Sequence, residues 1–264
     1  MLRAVVLLAL AAMPSLAATK VIVTVIEQKS GAPVKDLKAG DFTVLDDKTP
    51  RAVESAEFAD GLIDVMLLLD TSLVGESVRP LADDLIRQLK PKEQMAVVSY
   101  HSSADLIQDF TSSHELLKQA VAGVKYGNTP RALDAIYAAI DGGFEASTFR
   151  RVILLLTTGF EGPTRVGERQ VVRLARRNQV SIFPVYMVGA ERSMFEKLAK
   201  QTGGASFSLG DMRRSAGMHP GERIFDVMRS HYTLSIQGNL GLSDKLKIEV
   251  NRPGRLLVSA LPLD

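Results

Sequence analysis

The sequence contains no cysteine. That absence removes disulfides, thiol catalysis, thiolate zinc sites and a lipidated-cysteine anchor. A dominant charge is missing too. Formal net charge is +2, and it falls to +1 if an N-terminal leader carrying Arg3 is removed. Neither nucleic acid nor an anionic membrane is therefore implied as a partner. Arg169, Arg173, Arg176 and Arg177 cluster locally, and the plain reading is the solvated face of one helix. There is no Gly-x-Ser-x-Gly elbow, no Walker loop and no His-Glu-x-x-His pattern. The histidines, His101, His114, His219 and His231, are scattered without ligand spacing. No internal repeat or low-complexity linker interrupts the chain, and no apolar run beyond the N-terminus is long enough to span a bilayer.

What is present is a chain of 264 residues, 46% hydrophobic and 23% charged, the balance of a soluble globular protein with one domain and an accessory piece. Arg3, the apolar stretch Ala4 to Met13, and Pro14-Ser15-Leu16-Ala17 with its small-x-small ending read as a cleavable leader over 1–17. Export to the periplasm or the extracellular space is the expectation, with no transmembrane segment in the mature chain.

The segment 18–59 reads as β-rich. Val21 to Ile26 is a β-branched run, Phe42 to Leu45 a second strand closed by the turn-like Asp46 to Pro50, and Glu54 to Phe58 a third. Over 60–230 strands alternate with helices. Leu62 to Leu69 is almost continuously apolar, as a strand covered on both faces must be. Ser77 is placed to cap a helix on which Val78, Leu81, Leu85 and Leu89 recur at helical spacing. Further strands are expected at Met95 to Tyr100, Leu106 to Phe110, Arg151 to Leu156, Ser181 to Val188 and Ala205 to Ser208. Helices are expected near 113–124, 131–141, 166–177, 192–201 and 221–230. The order predicts an α/β fold with a doubly wound, mostly parallel sheet. The segment 231–264 returns to β, with Tyr232 to Ile236, Leu246 to Val250 and Leu256 to Ala260 separated by turn-like Gly238 to Asp244 and Arg252-Pro253-Gly254. It is expected to pair with 18–59 as a small β subdomain.

In such a sheet, ligands sit beyond the carboxyl ends of the strands at the topological switch point. Asp70 to Val74, Gly127-Asn128-Thr129 and Thr157-Thr158-Gly159 should meet there. The run Leu67 to Ser72 resembles the start of the metal-ion-dependent adhesion site of von Willebrand factor type A (vWA) domains, a Rossmann-like fold. In that family the first loop reads Asp-x-Ser-x-Ser, a threonine comes from a later loop, and an aspartate follows a further strand. Asp70, Ser72 and Thr129 match the first carboxylate, first serine and threonine. Val74 stands where the second serine belongs, and Thr158 where the later aspartate belongs, with Gly159 keeping the glycine after it. The stretches Val34 to Leu37, Asp41 to Asp46, Asp109 to Thr111 and Leu133 to Ile136 extend the likeness to a secreted bacterial subfamily called VWFA-related.

The resemblance implies Asp70, Ser72 and Thr129 as metal ligands, and Asp70, Ser72, Thr129 and Thr158 as a partner-binding crown. Mg²⁺ wants near-octahedral oxygens, usually with one or two carboxylates. Val74 offers no oxygen, and Thr158 removes a negative charge. No cofactor is therefore expected, with Mg²⁺ or Mn²⁺ the ions that a reduced set would take. Glu76 and Glu161 are nearby acids, read as exposed loop residues. Thr129-Pro130 also suits the N-cap and first turn of the 131–141 helix, and Asp70 and Ser72 suit loop-closing hydrogen bonds. The reading is a non-enzymatic protein-interaction module with an unnamed protein partner. The alternatives are a structural protein with a vestigial crown, or a hydrolase using Ser72, for which the sequence supplies no base.

Overall fold

The structure, a computed structural model, describes residues 18–214, 219–240 and 246–263. The expected leader and residues 241–244 of the expected Gly238–Asp244 turn lie outside them. The chain opens with β1 (Ala18–Glu27), β2 (Phe42–Asp46), β3 (Thr49–Arg51) and β4 (Val53–Asp60). The Asp46 to Pro50 turn is shorter than expected. Asp47 (φ 46°) and Lys48 (φ 69°) carry the whole reversal, a two-residue hairpin of the kind that needs left-handed backbone. Pro50 is then free to lie in β3, at the edge of its sheet, where its missing N–H costs no ladder bond.

The central unit runs β5 (Ile63–Asp70), α1 (Arg79–Ile86), β6 (Gln94–Tyr100), β7 (Ala104–Thr111), α2 (His114–Ala122), α3 (Ala132–Ile140) and β8 (Arg150–Thr157). It continues through α4 (Glu168–Arg177), β9 (Val180–Tyr186), α5 (Arg192–Gln201), β10 (Phe207–Ser208), α6 (Leu209–Arg214) and α7 (Pro220–Arg229). Its sheet has the order β10-β9-β8-β5-β6-β7. All neighbours are parallel except β6 and β7. Only the short loop His101 to Ser103 joins those two, and a parallel crossover needs a dozen residues or more.

Strand β5 shows why its sequence has no polar face. Ile63, Val65, Leu67 and Leu69 enter one hydrophobic cluster with α1, α2 and α7. Met66 and Leu68 enter the other, with α3, α4 and α5. Period-two alternation thus feeds two cores at once.

One expectation fails at α1. Ser77 lies inside a 3-10 turn, Gly75–Val78, and its Oγ donates to the Val74 carbonyl at 2.7 Å. Val78 is the N-cap and Pro80 opens the first turn. Proline's preset φ, with no N–H to satisfy, starts the helix without a side-chain cap. The arginines of α4 behave as read at Arg169, Arg173 and Arg177, which are exposed, whereas Arg176 is half-buried and its Nε donates to the Gln201 carbonyl.

The chain ends with β11 (Ser230–Gln237), β12 (Leu246–Val250) and β13 (Leu256–Leu263). These interleave with the opening strands in two antiparallel sheets, β13-β1-β11-β4 and β12-β2-β3. Between them lies a third cluster built on Val21, Val23, Phe42, Tyr232 and Leu234. The two ends of the chain therefore make one β wing. It is tied to the α/β core by Thr24 Oγ1, which donates to the Gly203 carbonyl at 2.8 Å, and by Ser259 Oγ, which donates to Gly204.

Candidate interaction site

Strand β5 lies between β8 and β6, so the chain winds away from it in both directions. That switch point lies at the carboxyl ends of β5 and β8, the end at which open α/β sheets bind ligands. Asp70 ends β5 there, and Thr158 directly follows β8.

The Asp70 carboxylate is fully buried and accepts three hydrogen bonds from the protein. The Ser72 N–H donates to Oδ1 at 2.9 Å. The Thr158 N–H and its Oγ1–H donate to Oδ2 at 2.9 and 2.7 Å. Thr158, at the position where the resemblance expects a second aspartate, is thus a donor to the first one. A second carboxylate there would face Asp70 across the same gap and repel it.

Loop after loop is locked to its neighbour. The Thr71 N–H and Oγ1–H both donate to the Tyr100 carbonyl, at 2.8 and 3.0 Å, and the Thr71 carbonyl accepts from the Gly127 N–H at 2.7 Å. Arg131 N–H donates to the His101 carbonyl at 3.0 Å, and Gly162 N–H to Pro130 at 2.7 Å. The His101 ring lies directly over Gly127, where any Cβ would collide with it. Gly159, at φ 102°, lies so close to the Val188 carbonyl that a Cβ would overlap it.

Glu161 was read as an exposed acid, and the structure corrects this. Its carboxylate reaches the start of α3, where Oε2 accepts from the Ala132 N–H at 2.9 Å and Oε1 from the Leu133 N–H at 3.2 Å. The helix cap therefore comes from 29 positions along the chain. Local reading missed it because capping signals are sought within a few residues of the helix start. Thr129 is accordingly not the cap. Arg131 holds the N-cap position, while Thr129 is exposed and rests its methyl on Gly162. Burial pushes the Glu161 carboxyl up to about 7, against the two N–H groups that favour its charge, and the nearby Asp134 and Glu191 carboxylates add to the rise.

Among the described residues three buried hydroxyls make no hydrogen bond of normal geometry, Ser72 Oγ and Tyr100 Oη beside Asp70 and Ser230 Oγ at the start of β11. Burial raises the Tyr100 phenol well above its ordinary range, and the Asp70 and Glu161 charges add to this. Ser72 is only 2% exposed, and among the described residues nothing hydrogen-bonds its Oγ.

The rim differs from the polar surface that the sequence suggested. Leu73 (77% exposed), Val74 (56%), Phe160 (46%) and Val188 (49%) stand out from the loops after β5, β8 and β9. Glu76 is exposed beside them in the 3-10 turn. Asp70, Ser72 and Thr158 are brought together at the buried floor, whereas Thr129 stays at the rim. Exposed apolar loop residues carry no periodic signal, which is why sequence reading passed over them.

The sequence model of the von Willebrand factor type A domain matches residues 64–218. No curated protein matches the sequence significantly. Among solved structures, proximal thread matrix protein 1 of the mussel byssus, determined with zinc in its MIDAS motif, superposes with a TM-score of 0.57 at 16% identity, over 70% of this chain and 50% of that one. An aerotolerance-related membrane protein of Bacteroides fragilis gives a TM-score of 0.47 at 14% identity, over 58% of this chain and 94% of that one. The chain thus spans half the length of the mussel protein.

Proposed function

Because the chain belongs to the von Willebrand factor type A domain family, with more than half of its length under the family match, we propose that its crown docks a protein partner by apolar contact and not through a bridging dication. The observation that carries this reading is the state of Asp70. Its carboxylate is already shared among three protein donors, and the two positions expected to add an oxygen and a charge are Val74 and Thr158. A dication would have to strip donors from the one carboxylate at the floor and would find no second charge on Thr158. Thr129, the third expected ligand, lies exposed at the rim. The residues present do not fit the ion. In its place the rim offers Leu73, Val74, Phe160 and Val188, and exposed apolar groups gathered on a rigid frame mark docking surfaces.

The leader-like residues 1–17 support placing this surface in the periplasm or outside the cell. No described helix is long and apolar enough to cross a membrane.

The test is cross-linked capture from the native envelope fraction, comparing wild type with Leu73→Asp/Phe160→Asp in the presence of Mg²⁺ and of chelator. The expected result is a partner retained under both conditions and lost in the double variant, whose Tm is unchanged. Capture that needs Mg²⁺, or a saturable rise in Tm with Mg²⁺, defeats the metal-free reading. Capture indifferent to the double variant favours a second reading, in which Asp70 is kept for structure alone. The two hydrogen bonds from Thr158 motivate that reading, since they tie the end of β5 to the end of β8 without any ligand.

A further inference from the structure

A sizeable groove lies away from the crown. It is an open groove of about 1250 Å³ between the wing and the core, lined by β12 and β13 on one side and by α5 and β10 on the other. Three features coincide in it. β13 pairs only with β1, β12 only with β2, and β10 only with β9, so among the described residues each keeps an unpaired edge. The walls are partly apolar, with Leu256, Ile248 and Val250 half-buried and Leu257 46% exposed. The lining charge is one-sided, with seven lysines and arginines against Glu196, Asp211 and Glu249, in a chain whose net charge is only +2. Two of the lysines, Lys29 and Lys200, are exposed and form no ion pair among the described residues.

We infer that this groove binds an extended peptide segment of a partner protein in which acidic residues alternate with apolar ones. Each part of that chemistry answers one feature. An unpaired strand edge offers main-chain donors and acceptors to an added strand. Alternate side chains of that strand face opposite ways, so one set meets the apolar wall and the other the lysines. The excess of cations selects acids and rejects bases. This surface lies apart from the crown, and its occupancy does not depend on the metal-free reading given above.

The probe is a fluorescein-labelled nonapeptide alternating Val and Glu, titrated with the full chain and followed by anisotropy. Saturable binding is expected, weakened about tenfold or more when Glu is replaced by Gln, when Val is replaced by Glu, or when alternate peptide nitrogens are methylated. Raising the salt should weaken it further. Lys29→Glu/Lys200→Glu should cost about tenfold at unchanged Tm, while Leu73→Asp/Phe160→Asp should leave it intact. If the charge reversal lowers Tm, Lys29→Gln/Lys200→Gln serves in its place and should cost affinity in the same direction. Equal binding of the all-Glu peptide would mean a diffuse field and overturn the proposal. So would equal binding of the Gln or N-methylated peptides, no effect of either lysine pair, or dependence on the crown residues.

Discussion

At the scale of single residues, Asp70 is a carboxylate wholly buried at the end of β5. A carboxylate taken out of water must be compensated by hydrogen bonds or charge, and here Thr158 and the Ser72 amide supply the bonds. Burial also shifts Glu161 and His231, and into a pH range that thermal melts can cover. Glu161 titrates near 7 in the folded chain against 4.5 ordinarily, so the native state holds the extra proton between those values and stability falls as pH rises through that window. His231 does the reverse. Burial, then the Arg150 guanidinium, push it down to about 4 from 6.5, so stability is lost as pH falls from 6.5 towards 4. The two slopes oppose one another over their shared range. Glu161→Gln should therefore leave a Tm that climbs with pH from 4.5 to 6.5 more steeply than in wild type. His231→Gln should leave one that declines with pH over the same range. Thermal melts across buffers of fixed ionic strength check both, and parallel curves for the three proteins contradict the assignment.

At the scale of elements, the loop Thr158 to Gly162 governs the crown. It caps α3 through Glu161, satisfies Asp70 through Thr158, meets Pro130 through Gly162 and packs on Val188 through Gly159. Such density leaves little room for change. Gly159→Ala places a Cβ against the Val188 carbonyl and forces an L residue to φ 102°. Both effects are destabilising, and a loss of about 2–4 kcal/mol is expected, measured by urea denaturation. A neutral outcome would mean that the β8–α4 loop tolerates a different path. The helix α3 makes the related point that an element can be predicted correctly while its cap is not. Its apolar spacing is local, whereas its cap is supplied by Glu161 from the loop after β8.

For the whole molecule, the decisive feature is that the wing cannot form without both ends of the chain. β1 is held between β11 and β13. The wing is also joined to the core by more than adjacency. Ile26 of β1 belongs to the same hydrophobic cluster as Leu67 and Phe225. The half-buried Arg150 donates to Met228, Ser181 and Gly203 at the junction and stacks over Phe183. Glu93 and Arg229 form a bidentate buried pair at 2.8 and 2.6 Å, fixing the end of α7 where β11 begins. Calorimetry should therefore show one cooperative transition for wing and core together. Two resolved transitions would mean that the junction does not couple them.

Periodicity is a local property, and the sequence carried it plainly. The apolar run of β5, the alternation in β11 and β12, and the helical spacing of α1 were legible because each element must match its own burial pattern. The order of those elements was enough to predict the α/β class, and the order and spacing of the Leu67–Ser72 run, Thr129 and Thr158-Gly159 together suggested the family. What only the tertiary structure decided is who satisfies whom. Thr158 as a donor to Asp70, Glu161 as the cap of α3, the exposed rim of Leu73 and Phe160, and the cationic groove between β13 and α5 all join residues far apart in the chain. Hydrogen bonds and surface exposure are set by that juxtaposition and leave no period behind, so no window of sequence contains them.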